Sequence, residues 1–219
     1  MVKTFENATP EQIDTAIAGA HEAFLSWKNE PVEKRAELLG RAAAELRANS
    51  RRYAEILTLE MGKLIGEAEA EVELSANILD YYAKFGPSHL TPRYLPADGF
   101  GDTDVALVNE PLGVLYAIEP WNFPFYQVIR ISAPQLMAGN TIVLKHAANV
   151  PQSALAMEQL YRDVGAPEGL LSNLFASHED TDRILADARI RGVALTGSER
   201  AGSAVAATAA KHLKKSTLE

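Results

Sequence analysis

Three of four short segments in this chain carry groups suited to a phosphorylated, polar ligand. The four are Pro120-Trp121-Asn122-Phe123-Pro124, Lys145-His146, Ala176-Ser177-His178 and Thr196-Gly197-Ser198. Prolines on both sides of Trp121-Asn122 make a stiff turn, and an amide side chain held there is a fixed hydrogen-bond donor. A buried structural asparagine would use the same residues. The Lys145 ammonium reads either as a solvated cation or as a donor to ribose hydroxyls or a phosphate. Gly197 lets a ligand approach the backbone, and Ser198 is a natural cap for a helix over Glu199–His212. The free N–H groups and dipole at such a start attract an anion, although an ordinary capped helix has the same sequence. The chain contains no cysteine, which excludes a thiol nucleophile, disulfides and cysteine-type zinc sites. No metal site is expected.

These segments need strands that end beside one another. From Gly113 onward, short apolar strands alternate with helices. The predicted strands are Val114–Ile118, Thr141–Lys145, Leu171–Phe175 and Gly192–Leu195; the predicted helices are Gln127–Ala138, Gln152–Val164 and Glu179–Asp187. The alternation predicts an α/β fold with a Rossmann-like, mainly parallel sheet and helices on both faces. Such sheets bind ligands at the carboxyl ends of their strands, which is where the four segments fall. Gly139 and Gly165 stand where helix C-caps belong, and Pro134 is expected to kink or split its helix.

Residues 1–87 read as an all-helical lead. Thr9, Pro10 and Gln12 form a capping box with a first-turn proline. Apolar stripes at spacings of three and four run from Val32 to Leu46 and from Val72 to Ala83. A helix from about Arg51 stops at Gly62, and Gly86-Pro87 is expected to end the next one. Residues 88–112 turn to proline, glycine and β-prone pieces. Asp98-Gly99 as a turn and Val105–Val108 as a strand predict a hairpin-like arm. Gly99-Phe100-Gly101 opens like a dinucleotide fingerprint, but Asp104 replaces its third glycine and no helix follows, so it is a false match.

An apolar share of 47% over 219 residues is enough for one substantial, well-buried domain. The net charge of −8 argues against a nucleic-acid partner and against an anionic membrane surface. The first residues have no apolar signal-peptide core and no run approaches a membrane span, so a cytoplasmic location is expected.

Taken together, these segments resemble the aldehyde dehydrogenase superfamily in order and spacing. The resemblance is carried by Glu110-Pro111-Leu112-Gly113-Val114, the Trp121-Asn122 turn, Ala138-Gly139-Asn140-Thr141, Thr196-Gly197-Ser198 and Leu213-Lys214-Lys215-Ser216-Thr217-Leu218-Glu219. Glu60-Met61-Gly62-Lys63 in the helical lead also fits. Lys145-His146-Ala147-Ala148-Asn149 and Glu199-Arg200-Ala201-Gly202 look most like a succinate-semialdehyde dehydrogenase branch. The resemblance covers nearly the whole chain and implies a part of an enzyme that oxidises an aldehyde to the acid with NAD or NADP, built as a homodimer or tetramer.

By the same resemblance, Asn122 supports the developing oxyanion and Glu219 falls on the general base. Arg130, six positions after Pro124, contacts the substrate carboxylate. Ile118, Pro120, Trp121 and Asn122 would contact the cofactor, Lys145 its adenosine ribose, and Gly197 and Ser198 its pyrophosphate, with His146, Ala148 and Ala201 beside them. Many NAD-specific members place an acid where Ala148 stands, so NADP is expected to be tolerated. Ala210 replaces a common glycine, which alters the turn there if that position needs a positive φ. Glu219, the last residue, is expected to fray. The family's nucleophilic cysteine lies beyond it, so a catalytic-thiol domain is absent and no turnover is expected from this chain alone. The alternative is a stand-alone dinucleotide-binding or oligomerisation module.

Overall fold

A computed structural model describes residues 3–95 and 105–219. The Asp98-Gly99 turn and the Gly99-Phe100-Gly101 match lie outside the described residues. The helical lead comprises α1 (Pro10–Trp27), α2 (Val32–Ala48), α3 (Ser50–Met61) and α4 (Ile65–Leu90). The Thr9 hydroxyl accepts from the Gln12 amide and the Gln12 side chain accepts from the Thr9 amide, closing the predicted capping box. α3 ends on Gly62 in the left-handed region. Two antiparallel strands, β1 (Arg93–Leu95) and β2 (Val105–Leu107), pair as the arm.

The remainder alternates: β3 (Val114–Glu119), α5 (Pro124–Met137), β4 (Thr141–His146), α6 (Pro151–Asp163), β5 (Leu171–Asn173), α7 (Asp180–Ala186), β6 (Ile190–Leu195), α8 (Glu199–Lys211) and β7 (Lys215–Leu218). The five later strands form one sheet in the order β5-β4-β3-β6-β7, every pair parallel. Winding runs outward from β3 to β5, then returns across β3 to place β6 on its other side. Side-chain alternation divides the core in two. Val114, Tyr116 and Val143 pack with Ile13, Ile17 and Ala20 of α1 and with α7 and α8. Ala117, Ile142 and Leu144 face α2 to α6. The lead therefore precedes the sheet in sequence but covers both of its faces in space.

Several local expectations are corrected. α4 runs through Gly86-Pro87 to Leu90. Gly86 is buried against Met137 of α5, where an added Cβ would lie 2.5 Å from the methionine Cγ, so tight interhelical packing carries the helix past its proline. α5 likewise continues through Pro134 without splitting. β7 was not foreseen, since an exposed Lys-Ser-Thr run shows no apolar alternation; pairing with β6 makes it an edge strand. Ala210 lies inside α8, and the left-handed residue is Leu213 at φ 54. Glu219, expected to fray, is bonded to its neighbours: its amide donates to the Leu195 carbonyl (2.9 Å) and its carbonyl accepts from the Gly197 amide (2.9 Å), extending the β7 ladder.

Candidate functional site

Register sets the site. Ile118 at the end of β3 pairs with Lys145 on β4 and with Leu195 on β6, so three neighbouring strands finish level. Because the connection reverses between β3 and β6, their ends leave a cleft at the topological switch point. The cleft has a volume of about 510 Å3. Its apolar wall is Ile118, Leu195, Ala204 and Val205, and its polar groups include Lys145, His178 and Arg200. Of the expected cofactor residues, Ile118, Lys145 and Ala201 line it.

Lys145 is 7% exposed, and burial holds its ammonium below the usual lysine range. Among the described residues it forms no hydrogen bond or ion pair. Its stem is buried while the ammonium, without a partner in the chain, opens on the cleft, where it can donate to a ligand acceptor. Ser198 caps α8 by accepting from the Ala201 amide at 3.3 Å, and the first turn gives Arg200 and Ala201 to the cleft wall. The Gly197 amide is already used by Glu219, so it is closed to a phosphate.

His146 takes no part in the cleft. Its Nε2 lies 2.9 Å from the Pro124 carbonyl and its Nδ1 accepts from the Ala147 amide, so both ring nitrogens are committed. Burial pushes its pKa down to about 4. Ala148 is exposed at the start of the β4–α6 connection, outside the cleft lining.

The turn after β3 stands at the same sheet edge but outside that lining. Pro120 is half-buried, while Trp121 (51%) and Phe123 (42%) are exposed, as is Asn122. The turn is gripped from the helical lead. Lys63 donates to the Asn122 carbonyl at 3.3 Å, sits 3.8 Å from the Phe123 ring centroid and pairs with Glu71. Glu71 in turn accepts from the Phe125 and Tyr126 amides at 2.9 and 3.2 Å. Arg130 and Glu219, expected to meet substrate and water, are ion-paired with each other, and Arg130 also donates to the Thr196 hydroxyl at 2.7 Å.

Sequence reasoning passed over Glu119 and Glu71, and gave Lys63 and Arg200 no role beyond the motifs that contain them. Glu119 is 4% exposed, and burial pushes its carboxyl up to about 8 against the opposing pull of Arg130. A lone charge closing an otherwise apolar strand was its available signal. The described residues contain no cluster of three metal-ligating side chains and no helix long and apolar enough to cross a membrane.

Comparison with known families agrees with this geometry. The aldehyde dehydrogenase family profile matches residues 1–219, and the chain belongs to that family. Within it, the chain is 47% identical over 218 residues to the succinate-semialdehyde dehydrogenase (NADP+) of Deinococcus radiodurans, covering 100% of this chain and 45% of that protein. The NADP+ complex of the succinic semialdehyde dehydrogenase from Streptococcus pyogenes superposes with a TM-score of 0.95 at 42% identity, over 100% of this chain and 48% of that one. An aldehyde dehydrogenase of Paenarthrobacter nicotinovorans is 41% identical over 219 residues, 48% of its length. The chain thus spans about half the length of the relatives it matches.

Proposed function

We propose that this chain is the dinucleotide-binding part of an NADP-linked enzyme that oxidises succinate semialdehyde to the acid, with NAD as a weaker cofactor. One observation carries the reading: the unpartnered Lys145 ammonium, on a largely buried side chain, facing the switch-point cleft. The residues fit a dinucleotide. The Ile118, Leu195 and Val205 wall suits an adenine face, Lys145 the ribose hydroxyls, and Arg200 with the start of α8 a phosphate. When bound, the nicotinamide would accept the hydride that leaves the substrate. Asn122 supplies a preorganised amide donor for the oxygen on which charge develops. Arg130 offers a guanidinium fork to the substrate's remote carboxylate, which must displace Glu219 from it. Released from Arg130, Glu219 acts as a general base towards water.

Calorimetric titration of the 219-residue chain tests the cofactor reading. NADP is expected to bind more tightly than NAD, and Lys145→Ala to weaken it about tenfold, the equivalent of roughly 1.4 kcal/mol. No heat with either dinucleotide at millimolar concentration overturns it. Pure chain is expected to form no NADPH from succinate semialdehyde, since it has no thiol. Fusion to the remaining half of the Deinococcus radiodurans relative is expected to restore turnover, and Asn122→Ala to lower its kcat roughly 10²–10³-fold.

The division into a lead (1–87), an arm (88–112) and a Rossmann-like part (113–219) carries a second element of the proposal, assembly through the arm into a dimer or tetramer. Its support is the exposure of Tyr94, Leu107 and Val108 on and beside β1–β2. Sedimentation showing only monomer at high concentration refutes it.

A further inference from the structure

Nothing in the cleft accounts for Lys63. With Glu71 it forms the most deeply buried ion pair among the described residues, the side chains being 8% and 0% exposed. Burying two charges forfeits their hydration, and an apolar pair of similar volume generally stabilises a fold as well or better. The pair's contribution is therefore sought in geometry, and its contacts show where.

Glu71 alone would suffice as a cap for α5, whose own N-cap residue, Phe123, makes no side-chain cap. Lys63 adds contacts that no helix cap needs: the Asn122 carbonyl and the face of the Phe123 ring. Carbonyl, ring and the two following amides are held at once, from one buried pair. The Asn122 side chain itself is exposed and makes no hydrogen bond among the described residues.

We propose that Lys63 and Glu71 are positioning residues, a buried clamp that fixes the Trp121–Phe123 turn so that the Asn122 amide is preset toward a reacting oxygen. This rests on the reading of Asn122 given above, but the clamp is measured without it. The experiment is 15N relaxation on the 219-residue chain carrying K63M and E71Q together. Glutamine keeps an oxygen on the Phe125 and Tyr126 amides and methionine refills the lysine stem, so the melting temperature is expected within about 5 °C of the parent. Order parameters at Asn122 and Phe123 are expected to fall from about 0.85 to below about 0.6, with the sheet unchanged.

Lys63→Arg keeps the cation and is expected to keep the turn rigid. Lys63→Gln together with Glu71→Gln, a neutral hydrogen-bonding pair, serves if the first double variant is unfolded, with a smaller local loss expected. A turn as rigid as the parent's in either folded variant overturns the proposal. So does a loss of order spread evenly over the molecule, which marks simple destabilisation. Asn122→Ala is expected to leave the order of the turn intact, so failure of the oxyanion reading appears only in the turnover of the fusion and failure of the clamp only in relaxation.

Discussion

α5, α6 and α8 all begin at the carboxyl edge of the sheet, yet their first turns are filled in different ways. The amides opening α5 are taken by Glu71. Those opening α6 are taken by Glu60, whose carboxylate accepts from the Gln152 amide (2.6 Å) and from the Ser153 amide and hydroxyl (2.7 Å each). Both acids come from the helical lead, and neither helix has a local side-chain cap. α8 has Ser198, a neutral cap that satisfies one amide, and the exposed Glu199 in its first turn. The first-turn amides of two helices are thus bonded by carboxylates from the lead, whereas among the described residues those of α8 meet only the Ser198 hydroxyl. The lead thus occupies the first turns of α5 and α6 with its carboxylates as well as covering the sheet.

This contrast can be broken by substitution. Glu71→Ala strands the Lys63 charge in the interior and leaves two amides unmet. It is expected to destabilise by about 3–5 kcal/mol in urea denaturation, with Glu60→Ala somewhat less costly because no buried cation is left behind. A loss under 1 kcal/mol at Glu71, or tighter anion binding at α5 than at α8 in the parent, would remove the distinction.

A second test sharpens it through pH, because Glu119 is a buried acid at the same edge with no helix to cap. Its folded pKa is raised from 4.5 to about 8, so the folded chain holds a proton that the unfolded chain releases, and stability falls as pH rises through that window. His146 works the other way, its pKa being lowered from 6.5 to about 4, so its contribution is lost as pH falls through that range. The two oppose each other at acid pH and leave the falling limb visible between pH 6.5 and 8. Glu119→Gln is expected to flatten that limb, a change of at most about 2 kcal/mol in denaturant titrations. An unchanged slope rejects the assignment. Smallest of all, Ser198→Ala is expected to cost about 1 kcal/mol of stability, as local caps do. A loss matching that of Glu71→Ala would show α8 to be held as firmly as α5.

Signals confined to a few residues were legible in the sequence. The Thr9–Gln12 box, the Gly62 stop and the strand–helix alternation after Gly113 all depend on neighbours, and all are present. What stayed hidden depends on distant partners. Glu71 and Phe125 are 54 positions apart, so nothing local marks the acid as the cap of a later helix. Pro87 obeyed its neighbours in sequence less than Met137 in space. At the site, Lys145, Ile118 and Ala201 line one cleft, whereas only the fold turns the His146 ring onto the Pro124 carbonyl.

The docking of α1 has a consequence for how the chain is made. The Thr141 hydroxyl donates to the Ala20 carbonyl across 121 positions, and the Ile13–Ile17 stripe packs with strand residues from Val114 onward. At typical translation rates the first helix leaves the ribosome on the order of ten seconds before its seat exists. During that interval the nascent polypeptide carries the Ile13–Ile17 ridge uncovered.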